Sequence, residues 1–255
     1  MMFDMRNVFP TTAPPSPKQN LLLATLSDET YRRLLPSLEG VPLPLGMVLY
    51  ESGGTQGYVY FPTDSIVSLL YVLADGASAE IAVTGFEGLV GIALFMGGET
   101  TPSRAVVQSA GHGYKVRATV LKAEFDASPE LQHLLLRFTQ ALITQMTQTA
   151  VCNRHHSIDQ QLCRWLLLSL DRLKGDHLTM TQELIANMLG VRREGVTEAA
   201  SRLQADGLID YRRGHIHVTD RNRLEARVCE CYGVVKREYD RLLPSPRTAQ
   251  TAAIG

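Results

Sequence analysis

The stretch Thr181-Gln182-Glu183-Leu184-Ile185-Ala186-Asn187-Met188-Leu189-Gly190-Val191-Arg192-Arg193-Glu194-Gly195-Val196 decides how this chain is read. Leu184, Ile185, Met188 and Leu189 recur at helical spacing and define one buried face. Ala186 is small where a crossing helix must come close, and Gly190 can take the positive φ that ends a helix tightly. Val191, Val196 and Ala199 supply facing apolar contacts from a second helix that opens with charged side chains. This is the pattern of a helix-turn-helix, whose second helix lies in the DNA major groove. An ordinary helical hairpin is the competing reading, and the residues after the second helix weigh against it. Leu203, Leu208 and Ile209 lead into two short alternating runs around Gly214, ending at His215-Ile216-His217-Val218. Such runs predict a β-hairpin, which makes the unit a winged helix.

Outward from this stretch, bulk properties set limits. A chain of 255 residues holds one or two domains with a proper core. The formal net charge is −1, so DNA binding would rest on a local basic patch, not a global field. Four cysteines, none before Cys152, are too few and too late for a disulfide scaffold, and imply a reduced, cytoplasmic protein. Residues 1–20 carry Pro10, Pro14, Pro15 and Pro17 without an apolar signal core, and are expected to be a disordered tail. No apolar run approaches the roughly 18 residues of a membrane span, so no membrane partner is expected.

From Val41 to Ala118 short apolar runs alternate with turn residues. Ile66–Leu73 and Ala77–Thr84 flank Asp75-Gly76, a hairpin signal, and Arg104–Ala110 and Tyr114–Ala118 look like a second pair around Gly111-His112-Gly113. Many short strands at this spacing predict an antiparallel barrel or jelly roll. After Val120 the period becomes helical. Leu131, Leu135, Phe138, Leu142 and then Gln145 or Met146 form a heptad-like seam, with Gln132, Arg137, Gln140, Thr144 and Gln148 on the polar side. The seam predicts a dimer interface; the alternative is that it packs on the barrel. Further helices are expected over Ser157–Lys174 and Asp220–Leu243, with a loose tail from Pro244 to Gly255.

Barrel, seam helix and winged helix in that order resemble the Crp/Fnr family of bacterial transcription regulators, over about Leu21 to Val218. The resemblance is sharpest at Leu189-Gly190-Val191-Arg192-Arg193-Glu194-Gly195-Val196-Thr197 and at Gly85-Phe86-Glu87-Gly88-Leu89-Val90-Gly91 before Leu94-Phe95. It implies an α+β chain: a β-roll sensor of the cyclic-nucleotide-binding type (residues 21–126), a dimerisation helix (127–154) and a DNA-binding domain with a C-terminal helix (155–243). It also implies double-stranded DNA with a roughly palindromic site and a second copy of the chain as partners, with RNA polymerase added if the protein activates. In the family an Arg-Glu pair early in the recognition helix reads bases, and Arg193-Glu194 match it; a later position that is often Arg is Glu198 here.

Arg193 suits bidentate contact with guanine, and Glu194 can accept from cytosine N4. Arg192, Thr197 and Glu198 join them as base-reading candidates, with Glu198 also placed to hold Arg202 one turn later. Thr181, Arg202, Arg212 and Arg213 are phosphate-contact candidates. For the effector, Gly91 and Arg104 are the candidates, but Gly91 is followed by Ile92-Ala93 where nucleotide-binding members carry Glu, and Arg104 by Ala105. These departures argue against cyclic AMP bound in the usual way and leave the small-molecule effector unknown. An iron–sulfur cluster is not expected without earlier cysteines. Cys152, His155, His156 and Cys163 near the joint between domains suggest a metal or redox switch, but structural residues are the better reading, and no metal site is assigned. Cys229 and Cys231 face opposite sides of a helix and read as structural; His215 and His217 share a face of the wing without a third ligand.

Two rivals remain. A cupin-type metalloenzyme would need His and carboxylate ligands inside the barrel, where His112 is the only His. A ligand-binding regulatory module whose winged helix contacts protein is the other. Neither a phosphate loop nor a nucleophilic triad appears, so the chain is not read as an enzyme.

Overall fold

The computed structural model describes residues 15–173 and 175–243. The expected tail 244–255 and residues 1–14 lie outside them, but residues 15–20 correct the expectation of disorder. Asn20 is wholly buried. Its Oδ1 accepts from Leu22 and Leu23 N–H, capping α1 (Leu21–Thr25), and its amide donates to the Pro62 and Gly88 carbonyls at 2.9 and 2.8 Å. Tyr114 Oη donates to the Pro15 carbonyl. A side chain that uses both ends of its amide fixes a prolyl segment that composition alone marks as loose.

After α2 (Asp28–Leu34) the β-roll is built from two antiparallel sheets. One has the order β1 (Glu39–Leu43), β7 (Gly111–Arg117), β3 (Tyr58–Pro62); the other has β2 (Val48–Tyr50), β6 (Ser103–Ser109), β4 (Ile66–Val72), β5 (Ser78–Thr84). The β4–β5 hairpin turns as expected at Asp75-Gly76, with Gly76 at φ 87°. The second predicted pair does not form: β6 and β7 belong to different sheets, so the chain crosses between layers at Ala110. Gly111 and Gly113 serve that crossing. A Cβ on Gly111 would stand 2.6 Å from the Asp64 carbonyl oxygen, and one on Gly113 2.9 Å from that of Phe61.

Two helices follow, α3 (Ala118–Ala127) and α4 (Pro129–His155). Ser128 caps α4 by accepting from Leu131 N–H. Leu131, Leu135, Phe138 and Leu142 are buried within the β-roll's own core, with Met146 half-buried beside them. This corrects their assignment as dimer interface: the seam is the face that seals the barrel. Phe138 reaches Gly88 so closely that a Cβ there would lie 2.2 Å from the ring. A second face of α4 receives the C-terminal helix, as Gln145 Nε2 donates to Tyr239 Oη at 2.8 Å. The third face is exposed and carries Leu136, Ile143 and Val151, spaced seven and eight apart.

Beyond α4 come α5 (Ile158–Leu170), started by the Ser157–Gln160 capping box, then β8 (His177–Thr179), α6 (Gln182–Leu189) and α7 (Arg193–Ala205). They are followed by β9 (Ile209–Arg212), β10 (His215–Val218), α8 (Arg221–Arg227) and α9 (Glu230–Leu242). The expected single helix over 220–243 is thus two, broken at Val228-Cys229, where Cys229 is the extended N-cap of α9. The wing is a three-stranded sheet, β8-β10-β9.

The β-roll and the winged helix share a core: Ile66, Leu70 and Val83 pack with residues of α5, α6 and α7. Polar groups are matched at the same boundary. Arg172 Nε donates to Glu87 Oε1 at 2.6 Å, with both side chains nearly enclosed. Glu80 is buried beside Ser68, whose hydroxyl also meets Gln108 Oε1, while the Gln108 amide donates to Ser169 on α5.

Candidate nucleic-acid interface

Thr181 has extended backbone and its Oγ1 accepts from Leu184 N–H, so α6 starts where the sequence places it. Ile185, Ala186, Met188 and Leu189 are buried; Leu184, expected on the same face, is exposed. Gly190 ends the helix at φ 66°, donating to the Ala186 carbonyl. Its backbone also lies against the β-roll, since a Cβ there would sit 3.2 Å from Ala79 Cβ on β5. Val196, Ala199, Ala200 and Leu203 form the inner face of α7.

The outer face begins at the N-terminus of α7. Arg192, Arg193, Glu194 and Glu198 are all exposed there. Arg193 Nε is 4.0 Å from Glu183 on α6, a loose contact that leaves the guanidinium available. Thr197 differs: its hydroxyl lies 2.7 Å from Gln182 Oε1 and 3.0 Å from the Arg193 carbonyl, with its single proton engaged inside the motif. It positions α6 against α7 while remaining on the exposed face of α7. Spacing alone does not reveal Gln182, because the pairing needs both helices in place.

Arg202 is corrected. Its Nε and Nη2 grip the Asp159 carboxylate at 3.0 and 2.6 Å, whereas Glu198, the partner expected from spacing, is 3.8 Å away. The bidentate pair ties α7 to α5 and holds the Asp159 carboxyl below its ordinary range, through the hydrogen bond from Arg202 above all. A guanidinium used this way is not a free phosphate ligand. Glu198 accordingly keeps a nearly unengaged carboxylate on the reading face.

In the wing, Arg213 and Gly214 form a two-residue loop with φ of 50° and 82°, the type I′ geometry that matches hairpin twist. Arg213 projects at the tip; Arg212 Nε donates to Asp210 Oδ1 at 2.9 Å, both largely exposed. Gly214 accepts from Met180 N–H and Tyr211 Oη donates to the Met180 carbonyl, so the wing is fixed beside the start of α6. Burial pushes the Tyr211 hydroxyl up to about 12. β8 and the residue before it supply neighbours that the sequence does not reveal: His217 Nε2 is 3.0 Å from Asp176, and the His177 ring lies tilted 4.4 Å from that of His217, while His215 meets Thr179 instead.

The two effector candidates sit apart in their contacts. Gly91 adopts φ 119° against Tyr58 and Val59, whereas Arg104 Nε lies 3.0 Å from Glu51 Oε2. At the joint the cysteine grouping also changes. Cys152 and His156 meet Cys229 and Cys231, while Cys163 is enclosed in the winged-helix core and His155 is exposed. Cys229 and Cys231 would face opposite sides only if both lay in a regular helix; Cys229 is an N-cap, and its side chain turns back.

Residues 160–227 match the profile of the Crp-like helix-turn-helix domain. Solved structures extend the likeness to the whole architecture. FixK2 from Bradyrhizobium japonicum superposes with a TM-score of 0.63 at 17% identity, covering 75% of this chain and 98% of that one. The c-di-GMP responsive global regulator CLP from Xanthomonas campestris gives 0.62 at 18%, covering 76% and 100%. TTHB099, a transcriptional regulator of the CRP family from Thermus thermophilus, gives 0.62 at 16%, covering 73% and 95%. The chain therefore has the Crp/Fnr fold. No curated protein sequence matches it, and among the described residues no helix is long and apolar enough to cross a membrane.

Proposed function

We propose that this protein is a sequence-specific DNA-binding transcription regulator, not an enzyme, acting as a cytoplasmic homodimer with signal input through its β-roll. One observation carries the reading: Arg192, Arg193, Glu194 and Glu198 project together from the start of an α7 whose inner face and Thr197 are locked into the domain. A recognition helix fixed in this way presents its N-terminal side chains to base edges at a set spacing. Arg213 at the wing tip, Arg212 beside it and the capped start of α6 at Thr181 supply phosphate contacts. The exposed row Leu136, Ile143 and Val151 on α4 is the dimerisation face, and a dimer places two reading heads on a roughly palindromic site.

The mixed charge of the reading surface predicts modest non-specific binding, so selection must come from base contacts. In a gel-shift series on a selected oligonucleotide across several salt concentrations, Arg193→Ala should cost about 1–3 kcal/mol and relax specificity at one base position. Undiminished binding by that variant would remove Arg193 as a reader.

A further inference from the structure

At the joint below the reading head, four side chains from distant parts of the chain converge. Cys152, in the last turn of α4, and His156, its C-cap, share one helical face; Cys229 caps α9 and Cys231 lies in its first turn. Cys152 Sγ is 3.6 Å from Cys229 Sγ, and Cys231 Sγ is 3.6 Å from His156 Nδ1. All four donor atoms lie within 4.8 Å of one another, and the three cysteines are buried.

We propose that Cys152, His156, Cys229 and Cys231 form a structural zinc site that clamps the end of α4 to the start of α9. A tetrahedral zinc with Zn–S bonds of about 2.3 Å sets its sulfurs about 3.8 Å apart, which these donors reach with shifts of tenths of an ångström. A disulfide between Cys152 and Cys229 would account for two of the four groups and leave His156 and Cys231 without a reason to be there. An iron–sulfur cluster needs its ligands spread around several irons, and these donors enclose the space of a single ion.

Two independent features of the surroundings agree. His156 presents Nδ1 inward, while its Nε2 lies 3.4 Å from Glu230 Oε2, the carboxylate–histidine arrangement that orients a metal-bound imidazole. Arg164 is buried, donates to Thr149 Oγ1, and its Nε has no partner among the described residues. No carboxylate pairs with it there, and its partner Thr149 lies one turn before Cys152 on α4. Three thiolates with one zinc ion and a neutral imidazole carry one net negative charge, which balances that guanidinium. Zinc binding would displace the thiol protons to solvent as the S–Zn bonds form, with no change of oxidation state.

The consequence is mechanical. His156 is followed directly by Ser157, the cap of α5, so the ion would set the angle at which α4 delivers the winged helix.

Full-length protein purified under reducing conditions should hold zinc at unit stoichiometry by elemental mass spectrometry. Cobalt(II) added to stripped wild-type protein should give the thiolate charge-transfer and intense visible bands of a tetrahedral site. Cys229→Ser and Cys231→Ser should lose the metal, Cys163→Ser should keep it, and Glu230→Gln should weaken affinity by about tenfold. Absence of cobalt–thiolate bands in wild-type protein, or a Cys152–Cys229 disulfide in peptide mapping with no bound metal, would overturn the site. The cobalt titration needs no variant, so a misfolded Cys229→Ser leaves the question decidable.

Discussion

Helix α4 has three faces with different work to do, whereas α7 has two. One face of α4 seals the β-roll through Leu131, Leu135, Phe138 and Leu142, a second receives α9, and the third exposes Leu136, Ile143 and Val151. On α7 a narrow inner face of Val196, Ala199, Ala200 and Leu203 meets the domain and the rest faces outward. The difference lies in what an apolar row means. On a two-faced helix it identifies the inside, and the polar remainder is the working surface. On a three-faced helix the strongest row belongs to the largest hydrophobic area, here the chain's own barrel, and the weaker row is left for the proposed partner surface.

The largest expected effect tests that division on α4. Phe138→Ala should cost about 3–5 kcal/mol of stability, because a fully enclosed ring facing Gly88 leaves a cavity that a rigid barrel cannot close. Leu136→Glu with Ile143→Glu should change the stability of the isolated chain by no more than about 0.5 kcal/mol, as surface changes do. The double variant should instead shift sedimentation from dimer to monomer. If Phe138→Ala alone broke the dimer while leaving the fold intact, the two faces would have to be exchanged.

The same contrast explains what could be read from the chain alone. The helix-turn-helix is legible in the sequence, because Gly190 and the cap Thr181 are demanded by local backbone geometry at fixed offsets. The β4–β5 hairpin is legible for the same reason. Asp159 under Arg202, Gln182 under Thr197 and the meeting of Cys152 with Cys229 are not, since each joins residues that only the folded chain brings together. Spacing favours Glu198 as the partner of Arg202; a better-placed carboxylate 43 positions away wins.

A second, smaller effect concerns the boundary between barrel and reading head. Ser68 has one hydroxyl proton, and with Gln108 oriented to donate to Ser169, that proton goes to Gln108 Oε1. The 2.5 Å contact with Glu80 then requires the proton to be on Glu80. Burial raises the Glu80 carboxyl from 4.5 to about 7, against the charges of Arg164 and Arg172. Arg172 is already engaged by Glu87. The folded state therefore holds a proton that the unfolded chain releases at lower pH. The contribution is complete below 4.5 and is lost as pH rises through about 7. At about 1.4 kcal/mol per unit it amounts to roughly 3 kcal/mol at most. Denaturant midpoints measured from about pH 5 to 8 should fall in the wild type and stay flatter in Glu80→Gln; equal slopes would place the titrating group elsewhere.

The smallest effect separates reading from positioning on α7 itself. Arg202 lies well past the helix start, in the last turn, and holds Asp159 on α5 in a solvent-screened pair of small net worth. Arg202→Gln should lower stability only slightly and leave the ranking of DNA sequences unchanged. Its salt slope should also match the wild type, because a guanidinium already bound to a carboxylate releases no phosphate counterion. Arg213→Gln at the wing tip should do the opposite, reducing the salt slope by about 1 while stability holds. If Arg202→Gln flattened the salt dependence instead, its grip on Asp159 would have to open when DNA arrives, and α7 would carry a third face after all.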